Sequence, residues 1–451
     1  MPLKDTILAL ATPHGESAIA LIRISGFQTK EITETIFKRT QTVPRHAYLG
    51  VYRNLKGKEI DKVVYTFYAK NASYTGDELL EISCHGNPLI AQKIIEDLIK
   101  RGCRVAEPGE FTRVAFINRR IDLSQAEAVM DLIRARSDKA LETAKKQLNG
   151  SVRNKVNALS DSLLQVIAYF EAYIDFPEED LPPEDFESPL RKLITLKEDM
   201  EGLITTSQYS TLLREGVKTV IIGLPNVGKS SLLNALIGEE RVIVSDKPGT
   251  TRDYIEERII LDSYFLRVID TAGLRKTEST LENLSMDKTR EQLASADLKL
   301  LVLDSTNPAP IFPQDINRQL ENGQTLVIEN KIDLPDSQLH EGYLPTSSHC
   351  RISALTGKGI AEVKKAMVKI LASDIALPTP DAIIVNARHA NAFEKAKSYI
   401  YEAIVKIQNK SYNELISNEL RNSVDALSTI TGEIDNDAML DKLFNSFCIG
   451  K

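Results

Sequence analysis

A strand-like apolar run, Val217 to Ile222, enters Gly223-Leu-Pro-Asn-Val-Gly-Lys-Ser230 and leaves it as Ser231-Leu-Leu-Asn-Ala-Leu236, which has helical spacing. Strand, glycine-rich turn and helix in that order predict a phosphate-binding loop on a parallel α/β sheet. Gly223 and Gly228 let the backbone wrap close to the phosphates with successive N–H groups turned inward. The start of the helix adds the positive end of its dipole. Lys229 can reach the β and γ phosphates, and the Ser230 hydroxyl can ligate Mg²⁺. The loop alone leaves the base of the nucleotide open.

Downstream residues choose the base. Asn330-Lys-Ile-Asp333 follows the strand-like Thr325-Leu-Val-Ile-Glu329, at the strand end where an open α/β sheet builds its sites. A carboxylate at Asp333 accepts from the N1–H and 2-amino group of guanine. Adenine lacks both donors, so a buried Asp333 would be left unpaired with ATP, a costly mismatch. Ser353-Ala-Leu355 follows another short apolar run and can back the base with its main chain. In spacing the set resembles the G motifs of translation-factor-like GTPases, which predicts GTP binding. The nucleotide-binding residues expected are Asn226, Val227, Gly228, Lys229, Ser230 and Ser231, then Ser245, Asp246, Lys247, Pro248, Gly249, Thr250 and Thr251. They continue with Asp270, Thr271, Ala272 and Gly273, then Asn330, Lys331 and Asp333, and end with Ser353, Ala354 and Leu355.

At 451 residues the chain has room for two or three domains. Its net charge of −7 argues against bulk polycationic binding to nucleic acid, so any RNA contact must come from a local patch. No apolar run approaches bilayer-spanning length, and Met1-Pro-Leu-Lys4 carries no signal pattern. Four cysteines, at 84, 103, 350 and 448, form no C-x-x-C pair. A cytoplasmic protein with no membrane partner is expected.

Residues 1–118 read as mixed α/β, with strands at Ser17 to Ile24, Val63 to Tyr68 and Leu79 to Cys84 and helices at Glu31 to Lys38 and Pro88 to Arg101. His85 beside Cys84 reads as a turn residue before Pro88 rather than a metal ligand, because no second ligand pair is near. Residues 119–214 change to long amphipathic helices, broken by the acidic, proline-bearing stretch from Asp175 to Asp185. The α/β block occupies 215–377, and helical periodicity returns in 378–451, ending in Cys-Ile-Gly-Lys. The fold class expected is multidomain, α/β plus all-α: a helical domain interrupted by an inserted G domain, behind a mixed α/β N-terminal domain. Basic residues cluster at Arg101, Arg104, Arg113, Arg119 and Arg120, and again at Lys145, Lys146, Arg153 and Lys155. They form either solvated faces or an RNA-facing patch.

Phosphoryl transfer rests mostly on positioning and charge neutralisation. Ser230 and Thr251 would hold Mg²⁺, Asp270 would orient its water shell, and the Gly273 amide would sense the γ-phosphate. Ras-type proteins carry a water-orienting Gln immediately after this Gly; here the position is Leu274. Asn226 offers a side-chain oxygen beside the β–γ bridge, for a charge-neutralising cation or for loop hydrogen bonding. Arg275 and Glu282, after Gly273, are from composition alone surface charges.

Further marks run the length of the chain: Asp5-Thr-Ile-Leu-Ala-Leu-Ala-Thr-Pro13, Arg23-Ile-Ser-Gly26, Tyr74-Thr-Gly-Asp-Glu-Leu-Leu-Glu81, Pro108-Gly-Glu-Phe-Thr112, Asp122-Leu-Ser-Gln-Ala-Glu127, Ile174-Asp-Phe-Pro177, Leu213-Arg-Glu-Gly216 and Phe447-Cys-Ile-Gly-Lys451. In these the chain resembles, from end to end, the TrmE (MnmE) family of tRNA modification GTPases. The resemblance implies a folate-binding-like N-terminal domain that also forms a homodimer, and a flavoprotein partner, MnmG, joined as a heterotetramer. It implies installation of an aminomethyl or carboxymethylaminomethyl group at C5 of the wobble uridine of certain tRNAs. The folate site, for a 5-formyl or 5,10-methylene tetrahydrofolate, would fall on Arg23, Glu81, Arg120 and Lys451. Position 120 is commonly Lys in the family, so Arg120 keeps the charge and changes the geometry. Potassium would be held by Asn226 with loop oxygens of Ser245, Lys247 and Thr250. The family's catalytic glutamate would fall on Glu282, although Leu281 to Asp287 departs from the usual run. With Arg275, and with Cys448 in the tail as a possible nucleophile, these are the candidate catalytic residues. Two other readings compete: a ribosome-assembly GTPase acting as a binding switch, and a structural dimeric scaffold for a partner enzyme.

Overall fold

The computed structural model describes residues 5–175, 186–238, 256–262, 264–270, 290–321, 324–340, 342–374, 382–432, 437–445, 447 and 450. The chain forms two units. The first combines Met1–Ile133, Lys145–Glu201 and Ala392–Lys451, and the second combines Arg134–Ala144 and Gly202–Asn391.

In the first unit, alternating buried and outward residues make a six-stranded sheet. Its strands are β1 (Ile7–Leu10), β2 (Ile19–Ser25), β3 (Ala47–Arg53), β4 (Glu59–Tyr68), β5 (Leu79–His85) and β6 (Arg104–Val105), in the order β3-β4-β5-β2-β1-β6. Every pairing is antiparallel except β1 with β6. One face buries Ile22, Ile24, Tyr65 and Ile82 against the apolar stripes of α1 (Thr29–Phe37) and α2 (Pro88–Lys100). Asn87 caps α2, accepting from Leu89 N at 2.9 Å, and Pro88 occupies its first turn. The opposite face carries Ile7 and Ala9, which pack on Phe111 and Val114 of α3 (Glu110–Ile117).

His85 ends β5 with its Nδ1 at 2.8 Å from Asp61 Oδ1 and its side chain 70% exposed. Among the described residues no cluster of His, Cys, Asp or Glu could hold a metal. Burial pushes the Cys84 thiol up to about 11 and the Cys103 thiol up to about 12, which leaves both protonated and inert.

Several arginines of the first basic run are committed to carboxylates within the protein. Arg101 Nε lies 2.7 Å from Asp97 Oδ2, with both side chains 6% exposed. Arg104 joins Glu110 at 2.7 Å and Asp5 at 3.2 Å, and Arg113 joins Asp441 at 2.9 Å. Asp97 also accepts from Tyr52 Oη at 3.0 Å and Leu55 N at 2.9 Å. Asp97→Ala would strand a buried guanidinium, a phenol and a backbone N–H, so a loss of about 3–5 kcal/mol is expected. Urea denaturation followed by circular dichroism measures it; a loss below about 1 kcal/mol would mean the network is dispensable.

The helical part begins with α4 (Leu123–Arg134), which starts on a reciprocal cap. Asp122 Oδ1 accepts from Gln125 N at 3.0 Å, and Gln125 Oε1 accepts from Asp122 N at 3.1 Å. After α5 (Asp138–Leu148), the 25-residue α6 (Ser151–Asp175) buries Val152, Val156, Leu159, Leu163, Val166 and Phe170 along one stripe. It packs on the helix Asn413–Thr431, where Glu171 accepts from Arg421 Nε at 3.0 Å and Ser417 Oγ at 3.1 Å. Two further helices, α7 (Glu187–Thr205) and α8 (Ser207–Glu215), follow in sequence. Near the C-terminus, Phe444 and Phe447 are buried with Leu123, Ala126, Met130 and Leu440.

In the second unit a six-stranded sheet has the order β12-β11-β10-β7-β9-β8. Its strands are β7 (Val217–Ile222), β8 (Glu256–Leu261), β9 (Tyr264–Asp270), β10 (Leu298–Asp304), β11 (Thr325–Asn330) and β12 (Ser348–Arg351). Only β8 runs antiparallel. The central strands are apolar on both faces because helices cover both. Leu300, Val302 and Ile328 pack against α9 (Lys229–Ile237) and the helix Ile360–Asp374, while Leu301, Leu303 and Val327 pack towards the helix Gln314–Glu321.

Candidate nucleotide site

The chain order around β7 reverses, with β10 on one side and β9 on the other, and this switch point opens a crevice at the strand carboxyl ends. The loop from Gly223 to Gly228 leaves β7 there and feeds α9. Gly228 has φ +97°, and a Cβ on it would stand 2.2 Å from Asn330 Nδ2, so only glycine fits. Lys229 is 7% exposed, and its ammonium donates to Gly223 O at 2.9 Å and Leu224 O at 2.8 Å. Those carbonyls hold it across the loop's own mouth, within side-chain reach of a bound phosphate. Asn226 is exposed and left-handed at φ +63°, and Val227 is buried.

Asn330 joins the two distant loops to this one. Its Nδ2 donates to Val227 O at 2.8 Å, and its Oδ1 accepts from Ala354 N at 2.9 Å. Ile332 N donates to Ile352 O at 3.2 Å, and Ser353 is fully buried with its Oγ accepting from Thr356 N. Asp333 and Leu355 are exposed at the mouth. Asp333 therefore differs from the buried carboxylate expected above: it stands on a surface turn, where a base plane rather than protein would cover it.

Asn226, Val227 and Gly228, the first residues of α9 (Lys229, Ser230 and Ser231), Asn330 at the end of β11 with Lys331 and Asp333, and Ser353, Ala354 and Leu355 thus all lie at the carboxyl end of one sheet. Asp270 ends β9 at the same edge. Ser245, Asp246, Lys247, Pro248, Gly249, Thr250, Thr251, Thr271, Ala272, Gly273, Leu274, Arg275 and Glu282 lie outside the described residues, as do Cys448 and Lys451.

Two residues outside the motifs complete the site's frame. Glu329, fully buried just before Asn330, accepts from His340 N at 3.1 Å and faces Arg351 Nε at 3.5 Å. Asp304 ends β10 beside Lys331. The available signal for Asp304 was its place, as the first charged residue after the apolar Leu300 to Leu303, at a strand end on the switch edge.

In the first unit, register puts Arg23 of β2 directly opposite Glu81 of β5. Arg23 Nη2 lies 2.7 Å from Glu81 Oε1, with the side chains 15% and 23% exposed. Tyr68 Oη donates to Glu81 Oε2 at 3.3 Å, and the guanidinium stands 5.8 Å from the Phe111 ring centroid. Arg23 Nη1 donates to Gly450 O at 3.2 Å, which brings Gly450 onto this face. Gly450 has φ +94°, and a Cβ on it would stand 2.8 Å from Leu10 O. Arg120 has its stem beside Gly76 and makes no side-chain hydrogen bond or ion pair among the described residues.

A phosphate loop on the switch strand, tied by one asparagine to two loops at the base edge, defines a P-loop GTPase. Two family profiles cover nearly the whole chain: "MnmE helical domain" over residues 123–448 and "GTP-binding protein TrmE N-terminus" over residues 6–120. The chain belongs to the MnmE (TrmE) family of tRNA modification GTPases and is a GTP hydrolase. Relatives named tRNA modification GTPase MnmE include those of Opitutus terrae, 46% identical over 454 residues, and Clostridioides difficile, 38% identical over 459 residues. That of Aquifex aeolicus is 37% identical over 451 residues. Each of the three alignments covers 100% of both chains. No described helix is long and apolar enough to cross a membrane.

Proposed function

We propose that this protein is a potassium-dependent GTPase of tRNA wobble-uridine modification. With a flavoprotein partner of the MnmG kind, it adds an aminomethyl or carboxymethylaminomethyl group at C5 of uridine 34 in certain tRNAs. The observation that carries this reading is the presence, in one chain that matches its relatives over its full length, of a P-loop G domain and of Gly450 hydrogen-bonded to the Arg23–Glu81 pair. Residues 1–118 form the folate-binding-like and dimerisation domain, 215–377 the G domain, and 119–214 with 378–451 the helical domain. The protein acts in the cytoplasm as a homodimer.

Ser230 and Thr251 would hold Mg²⁺, which would supply positive charge to the phosphates, and Lys229 and the loop amides neutralise charge on the transferring group. The exposed, left-handed Asn226 suits a monovalent cation shared with Ser245, Lys247 and Thr250. Bound there, such an ion supplies the positive charge that an arginine finger brings in other GTPases. Glu282 and Arg275 are the polar groups assigned to the region after Gly273, where Leu274 cannot orient water. Arg23, Glu81, Arg120 and Lys451 would hold a reduced folate, the three cations suiting its carboxylates by charge-assisted hydrogen bonding. Cys448 is the candidate nucleophile of the tail.

GTP turnover in potassium buffer is expected to exceed that in sodium by about tenfold or more, below the roughly 10³-fold of a full arginine finger. Sodium is smaller and fits the loop oxygens badly. Steady-state phosphate release with each salt measures it, and Asn226→Ala should erase the difference. Equal turnover in the two salts would overturn the potassium assignment. Mass analysis of wobble nucleosides from cells lacking the protein tests the modification itself, and unchanged nucleosides would favour a ribosome-assembly role.

A further inference from the structure

Asp304 belongs to none of the motifs, yet both its carboxylate oxygens are engaged at the base edge. Oδ1 accepts from Thr306 N at 3.0 Å and Thr306 Oγ1 at 2.7 Å. Oδ2 accepts from Asn307 Nδ2 at 2.9 Å and from the Lys331 ammonium at 2.6 Å. The two segments that meet here are stitched again nearby. Ser305 donates to Asn330 O through both N, at 3.0 Å, and Oγ, at 2.8 Å, while Gln338 N donates to Ser305 O at 2.7 Å.

Lys331 is otherwise an awkward residue to place. Its backbone is left-handed at φ +71°, and a free lysine stem would sweep through four torsions over the mouth of the site. We infer that Asp304 is a positioning residue of the base site, carrying the Lys331 ammonium so that the lysine stem stays beside the Asn330-to-Asp333 loop, where a guanine ring lies. This rests on the reading of that loop as the base site. The carboxylate is 10% exposed and the lysine 31%, so the pair is partly withdrawn from water. Burial alone would raise the Asp304 carboxyl, but the hydrogen bonds from Lys331 and Thr306 hold it down at about 2, and it stays ionised throughout the working range.

The two duties of Asp304 separate in Asp304→Asn. An amide oxygen still accepts from Thr306, so the turn at the end of β10 survives, whereas an amide nitrogen cannot accept from an ammonium. Binding of a fluorescent GDP to the full-length protein should weaken about tenfold, because a charge-assisted contact is lost. KM for GTP should rise in step while kcat stays level, and the melting temperature without nucleotide should hold. Lys331→Ala should give a similar loss, and the double variant no more than either alone, since the two side chains act as one unit. Thr306→Val, which removes only a turn donor, should bind GDP like the parent.

Parental affinity in Asp304→Asn, multiplicative losses in the double variant, or an equal loss in Thr306→Val would each overturn the inference. A parent protein that binds GDP no better than ADP would instead overturn the base-site reading beneath it. The two failures are therefore told apart by the parent measurement alone.

Discussion

Asp333→Asn is expected to lower GTP affinity tens-fold or more and to improve binding of xanthosine triphosphate. Asn330 fixes the geometry, clamped between Val227 O and Ala354 N, and Leu334 N donates back to Lys331 O at 3.1 Å to close the turn that presents Asp333. An aspartate there accepts two donors from guanine at once. An asparagine turns one acceptor into a donor facing a donor, a mismatch of roughly 2–4 kcal/mol. Xanthine carries a carbonyl at C2, which can accept from that amide. Because Asp333 is exposed and makes no buried contact, the change should leave the melting temperature without nucleotide alone. Competition between the two triphosphates for the parent and the variant measures the exchange. Unchanged GTP affinity in the variant would remove Asp333 from the base site.

Deleting Ile449 to Lys451 is expected to abolish tRNA modification and weaken folate binding while leaving GTP hydrolysis close to that of the full chain. Phe444 and Phe447 anchor the preceding segment in the core. Gly450 then reaches Arg23, and with a positive φ and Leu10 O close by it has no room for a side chain. The deletion would remove the carbonyl on Arg23 Nη1 and the terminal lysine, while the Arg23–Glu81 pair would remain. Gly450→Val keeps the chain length and should lose folate affinity as well, because a branched residue at φ +94° would lift the tail off the sheet. Calorimetry with a formyl-folate showing parental affinity in both variants would sink the proposal, whatever happened to activity.

Where local structure depends on neighbours in sequence, the sequence alone was enough. The phosphate loop lies within a few residues of the strand before it and the helix after it, and glycine, lysine and serine at fixed offsets carry their chemistry with them. Asn87 before Pro88, and Asp122 with Gln125, are local caps of the same kind: donor and acceptor lie within one turn, so spacing and side-chain type decide the outcome. The order of helical, α/β and helical segments was legible for a related reason, since hydrophobic period reports the element that buries it.

Charge was not legible in this way. Arg101 stands one turn after Asp97, a spacing the sequence does show, but the burial of that pair beside Tyr52 and Leu55, more than forty residues away, could not be read from it. Register, not spacing, set Arg23 against Glu81, and the tail of the chain then closed on the pair from 427 residues away. Asn330 could be read as a base-site residue, but its work as the clamp between Val227 and Ala354 exists only once three strand ends share one edge. Asp304 could be placed at a strand end, but its pairing could not be read, because its partner Lys331 follows a whole further helix and strand. A hydrogen bond or an ion pair depends on distance in space, and for residues this far apart in sequence only the folded chain brings the partners within bonding distance.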